Sequence, residues 1–501
     1  MYIGGLDVGT TGCKLTVYSD NGSYIDNEYV EYDVSRISGK HEIDAENIFA
    51  SVCTCIKNTC KKHSELSAIG ITSFGETFAV IDDKDRVLMP SMLYTDARGK
   101  CEVDKLSESI GTDKITYISG TQPHQMYSIP KIMWIRKNHP EIYGRIKRIL
   151  LMQDYIVYML TGVAHIDYSL AARTMGFDIR KKTWSKEIFN AAKIDLSLMS
   201  EPVPSGTAAG KIKAGVANEL NIQTDILIVN GCHDQVAAAI GAGVFEVGTA
   251  VDGSGTVECI TPVFDKIPEN KKLYEEGYSV VPYVFDDTYV SYALSFTGGA
   301  VLKWFRDNFS QHECAICREN NENIYKYLDG NIPDDPTEIL VMPHFAGAAN
   351  PYTDNGSKAV FVGLTLEHTR NDVYKALMEG VAYEAMINIK NMESYGIEFK
   401  KIVAAGGGAS SEKWLQIKAD IFGKPISALS AKEAGACGTC MLVSVAVGVC
   451  KNLKAAAEIF VKERSIYFPN EKNKLKYGKQ FEAYKKIYNA IRPIIGEVYD
   501  E

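Results

Sequence analysis

The chain has 501 residues, 46% of them hydrophobic, and a formal net charge of −9, enough apolar content for more than one substantial core. Its lysines and arginines are dispersed in short groups such as RKK at 180–182, which excludes the concentrated positive surface of a nucleic-acid groove. The start MYIGGLDVG lacks a basic leader region, and runs such as MLVSVAVGVC at 441–450 reach only half of a membrane span, so the sequence predicts a soluble, cytoplasmic protein with neither nucleic acid nor membrane as partner.

In chain order, strands are predicted at 2–7, 13–19 and about 27–33, then a helix over 45–63 and a buried strand, SAIGITSFG, at 67–75. TFAVIDDKDRVL follows with a polar turn at 82–85, and 100–110, 127–139 and 153–161 read as helices. DILIVNGCHD at 225–234 is an apolar strand ending in polar residues, and the alanine-rich QVAAAIGAG continues it as a helix.

The second half repeats this style. TAVDGSGTVECI and YVSYALSFTGG are strands with glycine-rich ends, and a long helix begins after Thr369, its expected N-cap, with Asp372 in the first turn. KIVAAGGGASSEKWLQIKADIFGKPI then gives strand, glycine turn, helix and a stop at Gly423-Lys424-Pro425. Strand–loop–helix order with early hairpins, occurring twice, predicts two α/β domains of similar plan with a boundary near 244. No P-loop, GxGxxG opening, HExxH or GxSxG is present.

Three glycine-rich strand ends are candidate phosphate or nucleotide contacts: Gly9–Gly12 with Thr10 and Thr11, DGSGT at 252–256, and AAGGGASS at 404–411. Glycine lets backbone amides approach phosphate, and hydroxyls add donors. Each also has a plain reading as turn geometry. Asp7 ends the first apolar strand, where a carboxylate can hold a cation. Asp234 stands between strand and helix, where it is expected either to cap the helix or, kept ionised by the helix N-terminus, to act as a base toward a hydroxyl. His233 reads as a packed histidine or a ligand, and Glu76 as a binding carboxylate at a buried strand end.

Taken together, GLDVGTTGCK, GCHDQVAAAIGAG, the stretch from AGAANPYTDNG to EGVAYE, and GGGASSEKWLQIKADIFGKPI resemble the FGGY carbohydrate kinases, which include glycerol kinase and xylulokinase. The resemblance covers nearly the whole chain. It implies an α/β fold of two actin-like (ribonuclease H-like) ATPase domains flanking a catalytic cleft, 1–244 for sugar, base and first phosphate loop and 245–501 for ATP. The implied activity is transfer of the γ-phosphoryl group of ATP to a hydroxyl of a small sugar or polyol. Residue by residue, the resemblance implies Asp234 as catalytic base and Asp7 as the acidic residue near Mg2+, held through water. For ATP it implies Thr10, Thr11, Gly255, Thr256, Gly299, Gly407, Gly408 and Ser410.

For the acceptor it implies Gly75, Glu76, Asp234 and Gln235. Gly75-Glu76 stands where glycerol kinases carry Arg-Glu and where xylulokinases carry Met-His, so neither substrate transfers directly. YTDAR at 94–98 has Tyr94 where the family usually carries Trp and keeps Asp96 and Arg98. Relatives of this kind are commonly homodimers or homotetramers. The other functional class is an actin-like nucleotide-binding regulator or ATPase without sugar kinase activity. Two CxxC spacings, Cys314/Cys317 and Cys437/Cys440, raise a metal or cluster site, against which both flanks read as ordinary helix and the thiols as reduced packing residues.

Overall fold

A computed structural model describes residues 1–37, 39–223, 225–430 and 433–499. The chain forms two compact units, Met1–Gly243 with Ser279–Val290 and Glu433–Val461, and Val244–Tyr278 with Ser291–Lys432 and Lys462–Glu501. The predicted division at 244 falls at the first boundary between them. It does not describe the later chain, because two segments of the second half build the first unit.

In the first unit the sheet runs in the order Ala208–Lys211, Leu227–His233, Leu66–Ser73, Tyr2–Val8, Gly12–Ser19, Tyr24–Glu31. Its centre is parallel: Tyr2–Val8 lies beside Leu66–Ser73, which lies beside Leu227–His233. Side chains alternate between faces. Leu6, Ile69 and Ile71 share a cluster with Ile48, Val52, Cys55 and Ile56 of the helix Ala45–Lys62, whose N-terminus is capped by the Asp44 carboxylate. The intervening positions are Gly5 and Gly70. There the helix Ala434–Ala446 comes so close that a β-carbon on Gly5 would lie 2.6 Å from the Ala436 carbonyl, and one on Gly70 2.7 Å from Thr439 Cγ2. The same helix meets Asp234–Gly241 backbone to backbone: β-carbons on Gly241 and Gly438 would fall 1.8 Å and 2.0 Å from the carbonyls of Ala434 and Ala237.

The second unit repeats the plan. Its sheet runs Ala293–Ser295, Glu258–Phe264, Thr249–Ser254, Lys401–Ala405, Ile426–Leu429, Glu463–Tyr467, again with three parallel strands at the centre and an antiparallel hairpin on the opening strand. The long helix spans Arg370–Ser394, and Thr369 caps it as a capping box with Asp372. Glu412–Phe422 ends at Gly423 in the left-handed conformation.

Among the described residues no helix is long and apolar enough to cross a membrane. None of the twelve cysteines is in a disulfide, and among the described residues no group of three or more His, Cys, Asp or Glu is arranged for a metal ion. Cys437 and Cys440 are buried in the small-residue helix, where burial pushes both thiols up.

Candidate active site

Parallel register brings three chain segments to one edge of the first sheet. Val8 is opposite Ser73, and Ser73 opposite His233. Asp7, the Gly75-Glu76 corner and Asp234 therefore all arise at the carboxyl ends of adjacent parallel strands, where open α/β sheets carry their ligands.

Asp7 faces Lys14 across the hairpin register, and the Lys14 ammonium is bound to Glu433, 2.6 Å away. Burial and the nearby Asp234 push the Asp7 carboxyl up to about 7, against the opposing charge of Lys14. The turn after it is tightened by the Gly9 N–H donating to the Gly12 carbonyl, 2.9 Å, and by the Tyr32 hydroxyl on the Gly9 carbonyl, 2.5 Å. Thr10 is half-buried and Thr11 exposed.

Asp234 is the first residue of the helix rather than its cap; the cap position is His233, which makes no side-chain capping bond. The Asp234 carboxylate accepts from the Gln235 N–H at 2.6 Å, and its side chain is 37% exposed. Burial outweighs the Gln235 N–H and the charge of Arg173, pushing Asp234 up to about 6. His233 is buried and held down to about 3 by desolvation first and by Arg173 second. It is neutral at physiological pH, 3.3 Å from Asp234.

The Glu76 carboxylate is buried against Arg173. Nε donates to Oε1 at 2.6 Å, and Nη2 approaches the same oxygen. Glu76 itself takes a left-handed backbone, φ 62°, an uncommon conformation for a glutamate. Arg173 follows the short helix Tyr168–Ala172, whose cap Asp167 accepts from the N–H groups of Ser169 and Leu170. Ser169 Oγ in turn accepts the His233 N–H, 2.9 Å. The guanidinium also reaches Ser279 Oγ at 3.3 Å and lies 5.2 Å over the Tyr127 ring. Tyr94 is 41% exposed, and its phenol is pushed up by partial burial first, then by Glu76 and Asp234. Arg98 donates three hydrogen bonds to Asp96, one from its backbone N–H and two from its guanidinium, which also reaches Glu42. Asp96 also accepts the His41 N–H, so the pair is bound to the strand Lys40–Ile43.

In the second unit, Gly255 and Thr256 form the exposed turn between the strands Thr249–Ser254 and Glu258–Phe264. The carbonyls of that turn accept from the N–H groups of Gly298, Gly299 and Ala300, at 2.8–3.2 Å, so the helix Gly299–Phe309 starts on it. Gly407–Ser410 is a single 3-10 turn following the strand Lys401–Ala405. The helix after it is capped by Ser411 on the Trp414 N–H. A Ser357–His344–Glu384 chain of hydrogen bonds, 2.7 and 3.1 Å, has the order of a hydrolase triad, yet all three side chains are buried and offer no access to a substrate.

The chain matches the model for the N-terminal domain of the FGGY family of carbohydrate kinases over residues 2–241 and that for the C-terminal domain over 271–447. The chain belongs to the FGGY family of carbohydrate kinases. It is 26% identical over 496 residues to a xylulose kinase of Lactococcus lactis, covering 97% of this chain and 96% of that one. It is 27% identical over 469 residues to a gluconokinase of Bacillus subtilis, covering 91% and 90%. A ligand-bound xylulose kinase from Lactobacillus acidophilus superposes with a TM-score of 0.87 over 99% of both chains at 24% identity.

This FGGY kinase is thus an ATP-dependent phosphotransferase acting on a carbohydrate, with the two-domain actin-like fold. The expected residues of its first unit, Asp7, Thr10, Thr11, Gly75, Glu76, Asp234 and Gln235, gather at the one sheet edge. Those of the second, Gly255, Thr256, Gly299, Gly407, Gly408 and Ser410, gather at the ends of two neighbouring parallel strands. Sequence reading missed three charged residues of this FGGY kinase: Arg173, Lys418 and Glu433. Lys418 was findable, since it falls at i+4 from Trp414 and i−4 from Phe422 on the apolar face of its helix.

Proposed function

We propose that Asp234 is the general base of the transfer: it orients an acceptor hydroxyl and takes its proton as the oxygen bonds to the γ-phosphorus of ATP. The observation that carries this reading is a carboxylate at the first turn of a helix, partly open to solvent, beside a histidine too deeply desolvated to serve. Its raised value near 6 suits a base working at neutral pH.

Thr10, Thr11, Gly255 and Thr256 are read as donors to the phosphates, and Gly299, Gly407, Gly408 and Ser410 as the nucleotide-side contacts. Asp7 is read as the acidic partner of Mg2+. Its carboxyl, made hard to ionise by burial first and by Asp234 second, is a group a cation would relieve. With no three-ligand cluster among the described residues, phosphate oxygens and water would complete the shell. Bound there, magnesium would neutralise charge on the phosphate oxygens.

The acceptor is read as a small sugar or polyol with neighbouring hydroxyls facing Glu76, Asp234 and Gln235. The guanidinium of Arg173 is already committed to Glu76, which favours a neutral acceptor over a sugar acid. The test is ADP release with Mg-ATP across polyols, ketopentoses, hexuloses and sugar acids, against a no-sugar control. One strong neutral acceptor, with turnover cut at least ~10²-fold in Asp234→Asn, is the expected result. Sugar-independent release, or near-normal turnover in a folded Asp234→Asn protein, would refute the assignment.

A further inference from the structure

Lys418 is almost wholly buried in the second unit, 1% exposed. A buried ammonium is costly unless paired. Its Nζ lies 2.6 Å from Asp252 Oδ2, 2.5 Å from Ser254 Oγ and 3.1 Å from Glu258 Oε1. The Trp414 ring sits 4.6 Å away. Two carboxylates against one ammonium leave an excess of negative charge, and burial pushes Glu258 up to about 8, so Glu258 holds a proton at neutral pH.

Ser254 is the shared point of this cluster. It pairs with Glu258 at the mouth of the hairpin, so the next residues are the turn Gly255-Thr256, on whose carbonyls the helix Gly299–Phe309 starts. On its other side lies the second glycine turn. A β-carbon on Gly406 would come within 2.7 Å of the Ser254 carbonyl, and one on Gly408 within 2.6 Å of Ser254 Cβ. Both glycine turns therefore border one serine, whose hydroxyl accepts from Lys418 Nζ at 2.5 Å and lies 3.3 Å from the Asp252 and Glu258 carboxyls. An apolar side chain in place of Lys418 would leave Asp252 buried without its cation, and it would not hold the Ser254 hydroxyl.

We propose that Lys418 is a positioning residue for the nucleotide, acting through Ser254 to set the spacing of the 255–256 and 406–410 turns. The inference rests on the reading of those turns as ATP contacts. Its test combines Lys418→Met and Ser254→Ala with steady-state kinetics and with calorimetric binding of Mg-ADP to the full chain. The expected result is a rise of at least ~10-fold in the KM for ATP and in the Kd for Mg-ADP, with the KM for the acceptor within about twofold of wild type. A merely structural lysine would lower the melting temperature and leave that split unmoved.

A folded Lys418→Met protein with wild-type KM for ATP overturns the proposal. If Lys418→Met does not fold, Ser254→Ala decides: unchanged nucleotide affinity overturns it, weakened affinity with an intact acceptor KM supports it. Failure of wild type to bind Mg-ADP would instead overturn the reading of the turns themselves, and the positioning role with it.

Discussion

Arg173 lies so close over Gly75 that a β-carbon there would come within 2.9 Å of the arginine Cγ and 3.2 Å of His233 Cδ2. The side chain missing at position 75 is replaced by one arriving from a different part of the chain, ninety-eight residues on. The guanidinium then closes on the neighbour of that glycine, Glu76.

Gly75→Ala is expected to displace Arg173 and to disturb the acceptor side alone. Steady-state kinetics should show the acceptor KM raised by about tenfold or more, an effect of about 1.4 kcal/mol, with the KM for ATP little changed. Equal effects on both constants would mean that the crowding spreads beyond the Arg173–Glu76 corner.

Arg173→Met leaves the Glu76 carboxylate buried without its cation. Breaking such a pair costs about 3–5 kcal/mol, read as a lowered midpoint in urea unfolding. Adding Glu76→Gln should return much of that loss, because the remaining amide carries no charge. If the double variant is no more stable than the single, the pair is not the source of the effect.

The acidic limb of the pH profile should belong to carboxylates. Asp234, raised to about 6 by burial, must be ionised to accept a proton, so kcat/KM falls as pH drops through that value, approaching tenfold per unit below it. Asp7 is raised to about 7 by burial and by Asp234. Saturating Mg-ATP is expected to move the limb lower, since a cation favours both charged forms. His233, held down to about 3, contributes nothing to it. A limb that persists unchanged in Asp234→Asn would contradict the assignment.

Glu258 gives a stability prediction of opposite sense to that of a paired surface carboxylate. Its ordinary value is 4.5 and its folded value about 8. Between those limits the folded protein holds a proton that the unfolded chain has released. Stability contributed by this group is thus full below about 4.5 and declines as pH rises toward 8. Glu258→Gln removes the titration, so the gap in melting temperature between variant and wild type should shift in the variant's favour from pH 5.5 to 8.5. A constant gap would show that Glu258 does not titrate in this window.

The strands and helices that carry the site were legible because each follows a local rule: Thr369 caps a helix, apolar strands run into glycine turns, and Gly423-Lys424-Pro425 stops a helix. The third strand was placed at 27–33 and is Tyr24–Glu31, a shift that a half-exposed strand with alternating polarity allows. Arg173, Lys418 and Glu433 were not legible as site residues, because each works across more than ninety residues of sequence on Glu76, Asp252 and Lys14. The assignment of Ser279–Val290 and Glu433–Val461 to the first unit was hidden for the same reason: no local pattern says which sheet a segment will join.

The glycine-on-glycine contact of Asp234–Gly241 with Ala434–Ala446 has a consequence for biosynthesis. The helix bearing Asp234 is complete early in translation, yet the surface that covers it leaves the ribosome about two hundred residues later. Until then Gly5, Gly70 and Gly241 expose bare backbone and small side chains where a helix belongs. The first unit to be synthesised therefore cannot finish folding until Glu433–Val461 emerges, and its sheet must wait, uncovered, while most of the second unit is made.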